Sequence, residues 1–290
     1  MKTIIINYLY KLFLATSIVF LLLSVYLNIS KMDSEDTISI NFQTMPKGHI
    51  SPTTGRPEMY DEKIAKIDNL NDLKKLVDYE IKENNFEGID IPVYIDNTVR
   101  RKYFHQTAYI SADTNWILKG ADYLFPERFF ATAMDPKDLV KKNHGICSQQ
   151  SIIFQELIKD YNFEYGSIRL DINIPNQENF GHFTNGVKVG NDWFYFDSNM
   201  EPVYNRKNSL IFKKVLEADK EVLKKLYPQY NFDLLTKEMI NFGDLNRFPA
   251  KRGVMFQKIT QFFSNFSWCL LLMFALLLRS LSLKLYIQDK

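Results

Sequence analysis

The chain of 290 residues is long enough for one ordinary domain with appendages, but too short for two large domains. Its 36 Lys and Arg residues nearly balance 34 Asp and Glu residues, and the net charge of +2 is dispersed without a basic stripe, which argues against nucleic acid as a partner. Two cysteines are too few for a disulfide framework.

The chain begins with a positively charged and then strongly apolar segment. Lys2 and Lys11 precede Leu12 to Ile29, a run of 18 residues without a charge. This order is typical of a signal sequence, but SVYLNIS offers no small-x-small cleavage site, so an uncleaved anchor over residues 1–30 is favoured over a cleaved signal peptide. Residues 31–56, which are polar and contain several prolines and glycines, are predicted to form a tether.

Residues 57–250 carry the patterns of a folded domain. Apolar side chains at near-helical spacing predict one or two helices over residues 57–84. The aromatic-rich stretch from Thr98 to Leu124 is also predicted to be helical, with a break near Gly120. The first part of the domain is therefore predicted to consist of helices.

Two further helices are predicted around a glycine in the middle of the chain. Asp135 is a good N-cap and Pro136 suits the first helical position, which predicts a short helix that ends before Gly145. A second helix is predicted to begin at or near Cys147, since apolar residues then recur at helical spacing.

Alternating patterns follow these helices. They predict strands over residues 164–174, 181–189 and 193–197, with a tight hairpin turn at 190–192 between the last two. The lysine-rich tail 208–241 is predicted to be mostly helical, and 243–253 to be a linker. Helices followed by antiparallel strands predict an α+β fold rather than alternating βαβ units.

A second apolar run lies near the end of the chain. Residues 259–278 are 20 uncharged residues that end at Arg279, which predicts a transmembrane helix over 259–279. A buried or interfacial helix is the alternative, because the first half of the run contains Thr260, Gln261, Ser264, Asn265 and Ser267. Two spans would place both termini on one side, and the flanking basic residues favour the cytoplasm for them, with the domain on the non-cytoplasmic side.

Cys147 is the candidate nucleophile. The other cysteine, Cys269, lies in the second apolar run, so no disulfide within the domain is expected. A lone thiol with a histidine and a carboxylate downstream is typical of a cysteine nucleophile. At a helix start, unpaired N–H groups and the helix dipole favour the thiolate and can receive the oxygen of a tetrahedral intermediate. Gly145 is expected to let the chain turn tightly before it.

His182 and Asp197 are the candidate base and its orienting residue. His182 begins a predicted strand 35 positions after Cys147, and Asp197 ends the returning strand 15 positions later. Because a short turn joins the two strands, these side chains are expected nearly opposite each other, where the carboxylate can accept the second ring N–H of the histidine. Contact between His182 and Cys147 depends on the tertiary fold and does not follow from the sequence.

Four motifs in this order resemble the transglutaminase-like cysteine superfamily. They are GICSQQS at a helix start, GHFTNGV, the Gly-Asn-Asp turn and WFYFD, and the resemblance covers residues 130–202, about a quarter of the chain. It implies a papain-like core, in which a helix that carries the nucleophile packs on an antiparallel sheet, with Cys147 as nucleophile, His182 as base and Asp197 as orienter. In the family the aspartate is commonly followed directly by proline, whereas four residues separate Asp197 from Pro202 here.

Several other residues are candidates for supporting roles. Trp193 is expected to shield the histidine–aspartate pair from water, although core packing explains it nearly as well. Asn185 and Ser148 could support the triad by contacting its residues rather than the substrate. Trp116 lies 31 positions before Cys147 and resembles the upstream tryptophan that animal-type transglutaminases use near the oxyanion, but packing is the favoured interpretation.

The remaining histidines are weaker candidates. His144 is close to Cys147 in sequence, but it lies on the wrong side of the Gly145 turn to be favoured as the base. His49 and His105 have no local context that suggests a role. No histidine or cysteine pair has the spacing of metal ligands, and no acidic loop has the spacing of a calcium site, so no metal site is predicted.

The sequence therefore predicts a membrane-anchored enzyme that attacks an amide or related acyl carbon without a cofactor. The acyl group would pass to water, as in a peptidase or amidase, or to an amine, with a protein or peptide as substrate. One alternative is a catalytically silent domain of the same fold that serves as a membrane-tethered binding or assembly module. Another is a two-span structural protein in which Cys147 is a core residue.

Overall fold

A computed structural model of the protein describes residues 2–30, 60–128, 130–172, 180–199, 204–228 and 230–288. The predicted tether at 31–56 lies outside the described residues. The chain divides into two compact units, which we call the helical unit (Met1–Asp36, Tyr109–Thr132 and Arg252–Lys290) and the mixed unit (Thr37–Ala108 and Ala133–Lys251).

The described residues form ten α-helices and four strands. In chain order they are α1 Lys2–Ser30, α2 Glu62–Ala65, α3 Leu70–Glu83, α4 Asp90–Lys102, α5 Ala112–Leu124, α6 Pro136–Leu139, α7 Cys147–Ile158, β1 Glu164–Ile172, β2 Phe180–Val189, β3 Asp192–Phe196, α8 Leu210–Leu216, α9 Lys220–Leu226, β4 Ile240–Phe242 and α10 Lys251–Gln288. The helical unit contains α1, α5 and α10, and the other elements belong to the mixed unit.

The strands of the mixed unit form one sheet of order β3-β2-β1-β4 in which every neighbouring pair is antiparallel. The predicted α+β class is therefore confirmed. Val189 pairs with Asp192, so the hairpin turn between β2 and β3 has two residues, Gly190 and Asn191, rather than the predicted three. Gly190 has a φ of 62°, a left-handed conformation that glycine adopts without a steric cost.

The prediction of one helical stretch over Thr98–Leu124 is wrong in its middle. Helix α4 ends at Lys102, and α5 begins only after Ser111. Phe104 lies between them, where its N–H donates to Asn143 O at 2.9 Å and its carbonyl accepts from Gly145 N at 2.9 Å. These bonds to a distant segment replace those of a helix. The expected break near Gly120 is also misplaced, because the non-helical residue inside α5 is Asn115.

The tail is less helical than the sequence predicts. Two short helices, α8 and α9, occupy 210–226, and the chain then forms β4 beside β1. A strand of three residues is too short for its alternation to be recognised in the sequence. The predicted linker 243–253 is shorter as well, since α10 already begins at Lys251.

The sheet packs against the tail through a hydrophobic cluster. Ile168 and Leu170 of β1 and Tyr195 of β3 are fully buried there, together with side chains of α8 and α9. Phe212 of α8 stands over β2 so closely that only a glycine fits at position 186 of that strand. A Cβ on Gly186 would lie 2.5 Å from Phe212 Cε2 and 3.1 Å from Phe242 Cε2.

Replacing Gly186 by alanine is therefore expected to destabilise the mixed unit by about 1–3 kcal/mol, because the two rings have to move apart. The loss is measured as a lower melting temperature of the full-length protein in detergent. Gly181→Ala is the control on the same strand, since a Cβ there would meet nothing within 4 Å. Equal melting temperatures for the two variants would contradict the steric argument.

In the helical unit, α1 and α10 are both long and apolar enough to cross a membrane, over Ile4–Leu27 and Lys251–Ile287. They pack side by side: Ser17 Oγ donates to Trp268 O at 2.6 Å, and the rings of Phe13 and Phe274 are 4.9 Å apart. Most of their large apolar side chains remain exposed. Helix α10 is longer than the predicted span of 259–279, because it continues past both of its ends.

Candidate active site

Cys147 is the first residue of α7, and a buried glutamine holds the turn before it. Gln149 Oε1 accepts hydrogen bonds from Ile146 N at 3.1 Å and Ala108 N at 2.9 Å, and its Nε2 donates to Ala108 O and Ala133 O. The amide of this side chain is thus fully used in fixing the backbone. The first N–H groups of a helix have no acceptor within it, so the N–H groups of Cys147 and Ser148 are available to a ligand.

The thiol of Cys147 faces the beginning of β2. Its Sγ lies 4.0 Å from the carbonyl oxygen of Gly181, the residue before His182, and Cys147 is among the groups that raise the pKa of the His182 ring. Cys147 is 8% exposed, whereas His182 is 1% exposed. Cys147 is therefore slightly open to solvent, while His182 is shielded.

His182 and Asp197 are in direct contact. His182 Nε2 lies 2.7 Å from Asp197 Oδ2, and both side chains are buried. Since Nε2 is occupied by the carboxylate, Nδ1 is the ring nitrogen left for the thiol. The register explains the contact: Asn185 pairs with Phe196, so the hairpin brings His182 and the residue after β3 to the same end of the sheet.

Asp197 has further hydrogen-bond partners that hold its orientation. Tyr227 donates from its hydroxyl to Asp197 Oδ2 at 2.6 Å, and Asn199 N donates to Oδ1 at 2.9 Å. The hydroxyl of Tyr227 also lies 2.5 Å from that of Tyr195. The ring of Tyr227 packs edge-on against His182, with centroids 5.4 Å apart.

The surroundings of His182 and Asp197 favour the charged form of both side chains. Burial disfavours the charged imidazole and would lower the pKa of His182. The carboxylate of Asp197, together with Cys147, outweighs this effect and raises the pKa of His182 to about 10. Burial also opposes the carboxylate charge, yet the positive charge of His182 and the hydrogen bonds hold the pKa of Asp197 well below its usual range. At neutral pH the pair is thus an imidazolium and a carboxylate.

A second buried carboxylate supports the loop after Asp197. Asp96 of α4 forms ion pairs with Arg100 at 3.1 Å and Arg206 at 2.8 Å, and it accepts a hydrogen bond from Ser198 Oγ at 2.7 Å. Arg100 in turn donates from Nη2 to the carbonyl of Asp197. This network connects α4 to the backbone of the candidate orienting residue.

His105 is a residue of this site that the sequence analysis missed. Burial and the nearby positive charge of His182 lower the pKa of His105, while Asn199 and Asp197 act in the opposite direction. His105 directly follows Phe104, whose backbone pairs with the turn before Cys147. No local sequence signal could have placed His105 in the candidate site, because the residues near it in space, His182, Asp197 and Asn199, are distant from it in the chain.

The predicted supporting residues divide between the site and other places. Asn185 of β2 accepts hydrogen bonds at Oδ1 from Ser151 at 2.7 Å and Gln155 at 2.9 Å, so it joins the strand to α7 rather than contacting the triad. Gly145 donates its N–H to Phe104 O and accepts from Gln150 Nε2 at 2.8 Å. Its φ is not in the left-handed region, and a Cβ there would make ordinary contacts, so a tight turn does not require glycine.

The two candidate tryptophans make their contacts elsewhere. Trp193 stacks on Phe212 with centroids 5.3 Å apart, and the ring that packs against His182 is that of Tyr227 instead. Trp116 belongs to the helical unit, where its Nε1 donates to Ser264 O at 2.8 Å. The interpretation of Trp116 as an oxyanion donor therefore has no support, because its indole N–H is already used within that unit.

The hydroxyl of Tyr227 gives a test of how the carboxylate is held. Tyr227→Phe keeps the ring against His182 but removes the donor to Asp197, and we expect kcat/KM to fall about ten-fold, since hydrogen bonds to charged groups contribute about 1.5–3 kcal/mol. Tyr204→Phe is the matched control, because that hydroxyl donates to Tyr195 O at 2.7 Å and not to the carboxylate. Equal losses in both variants would mean that general packing, not the bond to Asp197, is responsible.

Comparison with protein families identifies the domain that contains this site. A family model described as a transglutaminase-like domain matches residues 68–225, a range that includes Cys147, His182 and Asp197. No curated protein and no solved structure matches the chain.

Proposed function

Because the chain belongs to the transglutaminase-like domain family, we propose that it is a membrane-anchored enzyme in which Cys147 attacks the acyl carbon of an amide. One observation carries the proposal: a buried His182 lies 2.7 Å from Asp197, and the thiol at the start of α7 lies 4.0 Å from the carbonyl oxygen of Gly181, the residue before His182. Covalent acyl transfer by a triad requires a nucleophile, a base beside it and a carboxylate that orients the base.

The first half of the reaction forms a thioester. The thiolate of Cys147 attacks the acyl carbon, and a C–S bond forms as the carbonyl oxygen becomes an oxyanion. In this proposal the N–H groups of Cys147 and Ser148 at the start of α7 donate to the oxyanion. As the oxyanion collapses, the C–N bond breaks, and the leaving nitrogen takes the proton of the His182 imidazolium.

The second half regenerates the thiolate. Neutral His182 accepts a proton from a water molecule or an amine, whose oxygen or nitrogen attacks the thioester, and the C–S bond then breaks. Water gives a carboxylic acid and an amine gives a new amide. Asp197 keeps the ring in one orientation and stabilises the imidazolium in both halves. The raised pKa of His182 suits the first half, because the ring is already protonated when the amine must leave.

An activated ester tests this proposal. The full-length protein in detergent is mixed with p-nitrophenyl acetate, and the intact mass and the release of p-nitrophenolate are followed. We expect a burst of about one equivalent and one acetyl group on Cys147, neither of which Cys147→Ala should show. His182→Ala should slow the burst by at least about 10²-fold. An equally fast burst in His182→Ala, or acetyl groups only on other residues, would contradict the mechanism.

Adding an amine to the same reaction separates the two outcomes of the thioester. If the enzyme is a transferase, hydroxylamine at low concentration should divert the acetyl group into acetohydroxamic acid, and a primary amine should divert it into the corresponding amide. If it is a hydrolase, acetate should remain the main product. The products are quantified by mass spectrometry against Cys147→Ala, which reports the uncatalysed reaction.

We further propose that α1 and α10 cross one bilayer and leave the mixed unit on the non-cytoplasmic side. The length and apolarity of both helices support the two spans. Lys2 and Lys11 before the first apolar run, and Arg279 and Lys284 after the second, support this orientation. A cysteine introduced at Leu210, an exposed residue of α8, should then react with an impermeant maleimide in intact cells. Reaction only after the cells are opened would reverse the orientation.

A further inference from the structure

Residues 109–132 of the helical unit form a hairpin whose two ends meet. Tyr109 and Thr132 form an antiparallel bridge, and Ile110 N donates to Ala131 O at 2.7 Å. Helix α5 occupies the first arm of this hairpin. The chain therefore enters and leaves the hairpin at one place, as a segment must do if it dips into a surface without crossing it.

The first arm of the hairpin packs along α10 and forms hydrogen bonds with polar groups of that helix. Asn115 Nδ2 donates to Gln257 O at 3.1 Å and Thr260 Oγ1 at 2.9 Å, and Trp116 donates from its backbone N to Ser264 Oγ at 3.0 Å. Gln257 Nε2 also reaches back to Thr132 O at 2.6 Å. Two of the polar residues that make the first half of the apolar run unusual for a span, Thr260 and Ser264, thus contact the hairpin.

The depth of these contacts places the hairpin beside the candidate spans. Trp116 lies against Phe20 of α1, with ring centroids 5.4 Å apart, and Phe20 is inside the stretch Ile4–Leu27. From Gln257 to Ser264 the contacts advance seven residues along α10, which is about 10 Å at 1.5 Å per residue. Backbone at this depth is tolerated because other helices satisfy its polar groups.

The far end of α5 is apolar and uncovered. Tyr123 is 87% exposed, Leu124 is 69% exposed and Phe125 is 53% exposed, although three consecutive large apolar side chains are costly in water. Two charged side chains of the hairpin contact its own groups: Lys119 Nζ lies 5.2 Å from the ring centroid of Tyr109, and Asp122 Oδ1 accepts from Ala131 N at 3.5 Å. Arg128, which follows the tip, is exposed. An exposed apolar tip next to an exposed arginine is typical of the boundary between head groups and acyl chains, where the apolar side chains enter the lipid and the basic side chain reaches the head groups.

We propose that residues 109–132 are a third membrane element: an interfacial hairpin that dips into one face of the bilayer with Tyr123, Leu124 and Phe125 among the lipid chains. The lipid is the occupant that fits because the hairpin is continuous with the exposed apolar surfaces of α1 and α10, the helices on which it packs. This inference rests on the proposed membrane anchoring.

The test uses three leucines of nearly equal exposure. Leu124 of the tip is 69% exposed, Leu277 of α10 is 65% exposed and Leu210 of α8 is 61% exposed. Each is changed to cysteine in full-length Cys147→Ser/Cys269→Ser protein, labelled with an NBD fluorophore and reconstituted in phosphatidylcholine vesicles. Quenching by nitroxide-labelled lipids, with the nitroxide near the head group or along the chain, is then measured.

The three labels separate the possible results. We expect strong quenching at Leu277, no quenching at Leu210, and at Leu124 a loss of at least about half the fluorescence with the shallow nitroxide, since membrane contact lies near the interface. Quenching at Leu277 while Leu124 behaves as Leu210 would overturn the hairpin inference but leave the anchoring intact. No quenching at Leu277 would overturn the anchoring, and the hairpin inference with it.

Discussion

Replacing Asp197 by asparagine is expected to lower kcat/KM by about 10³- to 10⁴-fold, the size of the effect when a triad loses its carboxylate. The amide keeps the volume and can still accept from Tyr227 or Asn199, but it cannot stabilise the imidazolium of His182. The pKa of His182 should then fall from about 10, since burial would act without the opposing carboxylate. The rate is measured as acyl-enzyme formation with the activated ester.

The pH dependence of stability gives a second measurement on the same variant. The folded pKa of His182, about 10, lies above the unfolded value of about 6.5, while the pKa of Asp197 is lowered, so the pair contributes its full stability between about pH 4 and about pH 6.5. That contribution is lost as the pH rises towards 10. Asp197→Asn should show a flatter decline over this interval than wild type. Identical pH profiles of melting temperature and unchanged activity would contradict the role given to Asp197.

Replacing Asp96 by alanine should produce the largest loss of stability, about 3–5 kcal/mol. Asp96 is fully buried, and its removal would leave Arg100, which is 3% exposed, without its carboxylate partner in the interior. The unpaired charge accounts for most of the cost. Because Arg100 also donates to the carbonyl of Asp197, acyl-enzyme formation should slow as well, even at temperatures where the variant is folded.

Asp72→Ala is the matched control for this substitution. Asp72 also pairs with a basic residue on a helix, Lys75 at 3.0 Å, but its side chain is 58% exposed. An exposed pair contributes about 0–1 kcal/mol, so the melting temperature of this variant should barely change. If Asp96→Ala were as stable as Asp72→Ala, the buried network could not be what holds the loop after Asp197.

Local patterns in the sequence predicted the parts of the site that depend on neighbouring elements. The helix start at Cys147 follows from capping and periodicity, and the closeness of His182 and Asp197 follows from a hairpin with a short turn. The transglutaminase-like resemblance, which the family match confirms, rests on these same short-range motifs.

The partners that complete the site are distant in sequence and carry no local signal. Tyr227 lies in a segment that looks like an ordinary lysine-rich helix, and Asp96 and His105 lie far upstream of the residues they contact. Such contacts are set by how helices pack on the sheet, which periodicity does not encode. For the same reason the sequence could not show that Trp116 belongs to the helical unit rather than to the domain that surrounds it in the chain.

The central claim is that His182 activates the thiol of Cys147, and the initial rate of alkylation tests it most directly. Full-length wild type and His182→Ala are treated briefly with iodoacetamide between about pH 5 and pH 9, and labelling of the Cys147 peptide is quantified by mass spectrometry. An ordinary thiol, with a pKa of about 8.5, reacts slowly near pH 6. We predict rapid labelling of wild type near pH 6 and a rate at least about ten-fold lower in His182→Ala, with the difference closing near pH 9. Equally slow labelling of both proteins, or labelling of Cys147 only after unfolding, would contradict the claim.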